Sequence, residues 1–516
     1  MATAAAAPPV PALNRDSFAH LMLTIAIMMA VLLQVLDTTI ANVALPHMRA
    51  SMSATRETIN WVLTSYIVAS AITIPITGWL ADRVGRRPLF IWSVVAFTAA
   101  SVMCAAAQNL TEMVLFRAIQ GVSGAFVVPI AQGLLFDINP PHKHARAMAM
   151  FGMGVMIGPI LGPVIGGWLT ENYSWRWVFL VNLPVGAACA LLLVRFMPAS
   201  EAKRRGFDLF GFALLTVALG AFQLMLDRGE QLDWFSSWEV WIEGALAAAC
   251  AWMFVVHLAT TRLPLFEPKL FADRNFAVAL LFMAVTGLLL LAGLALLPPL
   301  LQQLFGYSVL DSGFLTMPRG IGTLVSMLVA GRISGRVDAR ILIFAGIALL
   351  GLSLYMMSGF TLTMSARPIV VSGIVQGLGL GLVFVPLQTL AFASLAARHR
   401  TTGAALLNLF RNIGGSAGIS IVTTLLARNL QVSHADLAAH ISPYTVEIAN
   451  RGLLGTLGAF GNAAVALIDA EINRQALMIA YLDDFRTMML LTLAVLPLVL
   501  LLRRAAPADG SPIFVD

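Results

Sequence analysis

Of the 516 residues, 59% are hydrophobic and only 11% are charged, where soluble globular domains carry about 25% charge. A soluble fold has no place for so much apolar surface. The net charge of +6 sits in short loops with no basic run interleaved with aromatics, which excludes nucleic-acid binding as its explanation. Cys104, Cys189 and Cys250 fall inside apolar blocks without CxxC spacing or neighbouring histidines, so neither a metal site nor a disulfide framework is expected.

In chain order, the first apolar block, 21–45, is long, carries Asp37 in its middle and lacks a cleavage-site pattern, so it is expected to stay as a helix and not to act as a signal. Further blocks near the ~20 residues that cross a bilayer follow at 58–80, 89–107, 113–136, 147–169, 177–197, 209–226, 238–258, 276–301, 314–334, 341–361, 368–390, 403–427 and 479–502. Fourteen spans put both termini on one side. With the N-terminus inside, the inner segments hold 19 Lys and Arg (Arg15, Arg83, Arg86, Arg87, Lys143, Arg146, Lys203, Arg204, Arg205, Arg262, Lys269, Arg274, Arg332, Arg336, Arg340, Arg398, Arg400, Arg503 and Arg504) against 8 outside. Positive residues stay cytoplasmic, so both ends are expected in the cytoplasm.

An internal repeat is visible. GWLADRVGRR begins at Gly78 and GRISGRVDAR at Gly331, 253 residues apart, while Gly121, Gly158 and Gly162 match Gly377, Gly414 and Gly418 at 256. A repeat of that size spans eight helices, so two six-helix halves are expected with two extra helices between them, as in carriers whose halves rock around a central site. The expected organisation is a tail at 1–20, a first bundle at 21–200, two added helices at 201–262, a second bundle at 263–502 with a long outer loop at 428–478, and a tail at 503–516.

Ionisable residues within the spans are the candidates for chemistry, because a charge at the bilayer centre costs at least ~2.5–3.5 kcal/mol and needs a reason. They are Asp37 in the first span, Arg117 in the fourth, Arg319 in the tenth and Arg411 in the thirteenth. Each also has a plain structural reading, in which Arg117 simply pairs with the helix 1 backbone or Asp37 and never changes state, and for Arg319 and Arg411 the structural and functional readings stand level. Desolvation favours a protonated carboxylate and a nearby guanidinium favours the charged one, so a changing environment makes Asp37 a proton carrier, with Arg117 as its expected partner. Gly78, Asp82, Arg83, Gly85, Arg86 and Arg87 form a tight basic loop that topology alone asks for, apart from its acid and its glycines. Gly154, Gly158, Gly162 and Gly166 recur every fourth residue on one face of the fifth span, with Pro159 and Pro163 among them, a pattern that lets helices approach closely. Glu243 and His257 lie in an added helix, where packing is the expected role. Asp483 and Asp484, within the string Tyr481 to Phe485, either edge the cavity or form an exposed cluster at a helix end. His434 and His440 are six residues apart and do not share a helix face, and no GxxxxGK motif followed by Ser or Thr implies an ATP site.

The strings VLDTTIANVALP (35–46), GWLADRVGRRPL (78–89), LFRAIQG (115–121, with Gln120), GVMIGPILGPVIGGWL (154–169), WRWVFLVNLPVG (175–186) and LDRGEQLDWFSS (226–237) resemble the major facilitator superfamily, specifically its fourteen-helix drug:proton antiporters of the EmrB/QacA type. The resemblance implies an all-α membrane fold, a conformational latch formed by the 78–87 loop, an exporter-type fifth helix and no cofactor beyond a proton gradient. It also implies small hydrophobic or amphipathic substrates, an inner-membrane location, and a periplasmic adaptor and outer-membrane channel as partners. An importer, a fatty-acid or siderophore exporter on the same fold, and an integral-membrane enzyme are the alternatives. For the last, no paired carboxylates or histidine cluster are present in the sequence.

Overall fold

The computed structural model describes residues 17–199, 202, 206–334, 336–393, 395–440 and 462–503, and every regular element among them is helical. Arg15, Lys203, Arg204, Arg205, Gly335, Arg504 and all of the outer segment from 441 to 461 lie outside the described residues. Among the described residues, thirteen helices are long and apolar enough to cross a membrane: α1 (Phe18–Ser51), α2 (Trp61–Val84), α3 (Arg86–Ala106), α4 (Leu110–Ile138), α5 (Pro141–Asn172), α6 (Trp177–Phe196), α7 (Leu209–Arg228), α8 (Trp238–Thr260), α9 (Arg274–Phe305), α10 (Val309–Ile333), α11 (Ala339–Met357), α12 (Ala366–Ala393) and α14 (Ala466–Leu501). Between the last two runs α13, the 40-residue helix Arg400–Ala439. It coincides with the expected thirteenth span but is too polar to count with the others by composition, since it carries Asn408, Arg411 and Asn412 in its membrane half.

The outer segment 428–478 needs correction at both ends. α13 continues to Ala439, and the following helix begins at Asn462, before the apolar part of α14. Hydropathy marks only where lipid surrounds a helix, and a helix has no need to stop where water begins.

Glycines set how closely the helices approach, and they do so twice. A Cβ on Gly121 of α4 would strike the Tyr66 carbonyl of α2, and one on Gly377 of α12 would strike the Arg319 carbonyl of α10. The two glycines are 256 residues apart, so the same backbone-to-backbone seam is built once in each half. On α5, Gly154, Gly158, Gly162 and Gly166 face Met28, Val35, Thr39 and Ile40 of α1, where Thr39 Oγ1 also donates to the Gly158 carbonyl at 3.1 Å. Gly414 and Gly418 bring α13 onto the Ala284 and Leu288 carbonyls of α9 in the same manner. α5 stays helical through Pro159 and Pro163. In contrast, α2 is interrupted by a 3-10 turn at Pro75 and α4 breaks between Gly124 and Val127, ahead of Pro129, whose ring lacks the N–H that would continue the ladder.

The added pair stands to one side. α8 exposes Trp238, Trp241, Ile242 and Trp252. α7 reaches both halves, because Asp227 accepts a hydrogen bond from Thr64 of α2 and the Leu226 carbonyl accepts one from Ser420 of α13 at 2.8 Å. His257 pairs with Asp208 at 2.8 Å, joining the ends of α7 and α8, and Glu243 keeps one buried carboxylate oxygen without a partner. Both residues lie on the added helix, away from the core of either bundle.

Candidate functional site

Asp37 is 1% exposed, halfway along α1, and side chains of α4 and α6 converge on it, with Ser101 of α3 and Tyr66 of α2 behind them. Its Oδ2 accepts from Arg117 Nη1 of α4 at 2.6 Å. Its Oδ1 accepts from Gln120 Nε2, one turn further along α4, at 2.9 Å and from Asn182 Nδ2 of α6 at 2.7 Å. Asn182 also donates to Ser101 Oγ of α3 at 2.9 Å, and Gln120 Oε1 accepts from Arg117 Nη1 at 2.7 Å. The Arg117 guanidinium lies 5.2 Å from the Tyr66 ring and 5.0 Å from the Phe179 ring, and its Nε and Nη2 are buried without hydrogen-bond partners. The carboxylate thus accepts three hydrogen bonds, whereas the guanidinium beside it is incompletely satisfied.

All of these groups belong to one half. Arg117 therefore does not approach or leave Asp37 when the two halves rock as rigid bodies, contrary to the simplest form of the sequence expectation. Sequence reading also overlooked Asn182, Ser101 and Tyr66. The available signal was a lone amide in the apolar run VFLVNLPVG, a polar group with no reason to be there unless it has a partner.

The end of the bundle that carries the 83–87 loop, here called the basic end, is closed. Asp137 at the end of α4 accepts from Arg86 and, through its other oxygen, from Arg400 Nη1 at the start of α13 at 2.8 Å, so one carboxylate joins a guanidinium from each half. Gly78 lies against Thr402 so closely that a Cβ would overlap its hydroxyl. Gly85, at φ 97°, occupies backbone space that side chains disfavour and turns α2 into α3. Arg87 donates to the Val194 carbonyl at 2.7 Å, and Arg83 lies 5.4 Å from the Trp79 ring. Asp82 is half-buried on the last turn of α2.

Deeper in, Gln132 of α4 donates to Gln388 of α12, and Asn408 of α13 donates to Gln132 Oε1 at 3.0 Å. Gln132 and Gln388 are 256 residues apart, so a residue and its repeat-mate pair across the axis that relates the halves. Phe136 and Phe392, also 256 apart in sequence, meet with ring centroids at 4.3 Å just beyond them.

The remaining candidates separate. Arg319 is 7% exposed, and Arg411 is half-buried on α13; neither forms an ion pair among the described residues. Asp483 pairs with Arg486 at 3.1 Å on an exposed face, whereas Asp484 is fully buried, accepts only a 3.4 Å bond from Asn429 and leaves Oδ2 without a partner.

A bundle of long apolar helices with two repeated halves, glycine seams and a buried ion pair defines a multi-pass membrane carrier. A model of the Major Facilitator Superfamily matches residues 27–419, and the chain belongs to that family. It is similar to the multidrug export protein EmrB of Escherichia coli K12, at 34% identity over 90% of this chain and 91% of that one. It is also similar to the fatty acid resistance protein FarB of Neisseria gonorrhoeae, at 32% identity over 95% and 97%. Among solved structures, the proton:xylose symporter XylE shares the fold with a TM-score of 0.58 and 13% identity, over 94% of this chain and 97% of that one.

Proposed function

We propose that this chain is a proton-coupled exporter of hydrophobic or amphipathic compounds in a bacterial inner membrane, with both termini and the basic end in the cytoplasm. Similarity to EmrB along nearly the whole chain supports multidrug export, and the lysine and arginine bias supports the orientation. Fold alone does not decide direction, since a symporter shares it. The closely packed, proline-bearing α5 seam favours export through its likeness to exporters. In this orientation the structure is closed to the cytoplasm by the Asp137 bridge and the Gln132–Gln388 pair, and release of both precedes drug entry. A periplasmic adaptor, continuing into an outer-membrane channel, would meet the outer ends of α13 and α14.

The observation that carries proton coupling is the Asp37 cluster: one buried carboxylate in the centre of the first half, held by three donors beside an under-satisfied guanidinium. A proton on Asp37 removes the charge that holds Arg117, Gln120 and Asn182 together. The freed donors then repack α1 against α4 and α6 and, through the α1–α5 glycine seam, reach the interface between halves. This replaces approach and retreat of Arg117 with a rearrangement inside one half.

The test is Asp37→Asn in proteoliposomes. The amide keeps the size and mimics the protonated acid, so substrate binding persists while uphill efflux and substrate-induced proton release are lost. Proton-driven efflux at the wild-type rate would remove Asp37 from coupling and turn attention to Asp484, the other buried acid.

A further inference from the structure

Every buried charge in the first half has a counter-charge, which makes Arg319 stand out. Its guanidinium is buried in α10, forms no ion pair among the described residues, and donates one long hydrogen bond, from Nη2 to the Leu290 carbonyl at 3.3 Å. It lies flat against Gly293 of α9, where a Cβ would come within 3.1 Å of Nη1, so the absence of a side chain there makes room for it. It also lines a cavity of about 40 Å³ between the halves, with Pro159 and Ile160 of α5 on one wall and Leu290, Leu294 and Leu380 on the other. A guanidinium in an apolar wall without an anion is costly, whereas one that meets an anion there gains a charge-assisted, two-pronged bond.

We propose that Arg319 and this cavity form the subsite that receives the carboxylate end of an amphipathic monoanion, deepening the exporter reading, on which it rests. The volume suits a carboxylate-sized group or a pair of waters and not a ring system, so the cavity takes the head of the molecule. Among the described residues no second cation lines it, which disfavours a dianion, and a cationic head would be repelled. The apolar side chains that surround Arg319 along α5, α9 and α12 receive the start of the tail. The position also explains why the site lies at the interface: α5 supplies one wall, so rocking of the halves opens the cavity and weakens its hold on the anion.

The experiment uses two probes with the same dodecyl-length tail, dodecanoate and dodecyltrimethylammonium, with purified full-length protein in detergent and in proteoliposomes. Wild type binds dodecanoate. Arg319→Gln weakens that binding by roughly tenfold to a hundredfold, the usual loss for a charged hydrogen bond, and does not weaken trimethylammonium binding, since only a repulsion is removed. Arg319→Lys keeps the charge but not the planar fork and recovers part of the affinity.

Three results overturn the proposal: no dodecanoate binding by wild type, wild-type dodecanoate affinity in Arg319→Gln, or an equal loss of both probes in folded Arg319→Gln. If Arg319→Gln does not fold, Gly293→Leu takes its place, since a single Cβ there already lies 3.1 Å from Nη1 and the rest of a leucine side chain fills the place of the guanidinium; unchanged dodecanoate affinity in folded Gly293→Leu overturns the proposal as well. Asp37→Asn separates the two readings. It abolishes uphill transport of both probes while dodecanoate binding stays intact, so a failure of coupling leaves the Arg319 assignment standing, and a failure of anion selectivity leaves coupling standing.

Discussion

The two halves share a scaffold and divide the chemistry. In the first, Gly121 brings α4 onto the carbonyl of Tyr66, whose ring faces Arg117 beside Asp37; in the second, Gly377 brings α12 onto the carbonyl of Arg319, which faces a cavity and, among the described residues, no acid. Backbone seams tolerate no side chain in either half, so the repeat persists there. Side chains that point away from the seams are free to differ. The first half accordingly holds a neutralised ion pair, the proposed proton site, and the second holds a cation with no ion pair among the described residues, the proposed anion subsite.

The sharpest way to break this contrast is to remove each cation. Arg117→Met leaves Asp37 buried without its counter-charge and is expected to lower stability by about 3–5 kcal/mol, whereas Arg319→Met removes a lone buried charge and leaves stability unchanged or raises it. Thermal unfolding of both variants in detergent without substrate checks this, and equal losses would end the claim that the halves handle charge differently.

The seams come next. A Cβ on Gly414 overlaps the Ala284 backbone, while one on Gly158 meets the Val35 side chain at 2.7 Å before any backbone. Overpacking costs about 1–3 kcal/mol where neighbours can shift and more where backbone must move. Gly414→Leu should therefore fail to accumulate in the membrane, and Gly158→Leu should accumulate but not transport. Immunoblots of membranes alongside efflux assays distinguish the two, and normal transport by Gly158→Leu would contradict the close packing of α5 on α1.

Smaller effects are expected at the basic end, where the halves meet. Gln388→Ala strands the buried amide of Gln132 and should bias the basic end towards opening by about 1–3 kcal/mol. Arg400→Gln removes a partly exposed partner of Asp137 and should do so by only about 0.2–1 kcal/mol. Labelling rates of a single cysteine placed at Thr401 measure both. A larger effect from Arg400→Gln would make the ion bridge, and not the amide pair, the main closure.

Much of this was legible in the chain. The cost of a charge in lipid pointed to Asp37, Arg117 and Arg319, and the glycine offsets of 253 and 256 announced the two halves. Hydropathy located the spans but not where the helices stop, because α13 runs on to Ala439 and the last helix already begins at Asn462, ahead of its apolar stretch. Asp137 was overlooked because an acid near a helix end looks like any solvated loop charge. Gln132 and Gln388 were overlooked because a single glutamine carries no signal, although their spacing of 256 equals that of the matched glycines.

Composition and periodicity by themselves determined that lipid is the solvent, that the chain crosses it many times, and that two related bundles are built from it, since these follow from transfer energies and from repeated small residues. Which charges meet was decided only in three dimensions. Asp37, Ser101, Arg117 and Asn182 are up to 145 residues apart in sequence, and it is the packing of α3, α4 and α6 with α1 that brings them within hydrogen-bond reach, while no acid among the described residues is brought to Arg319. Insertion energies depend on each residue's own transfer cost and are readable along the chain. Pairing depends on distances of about 3 Å between helices, and those are set by tertiary packing alone.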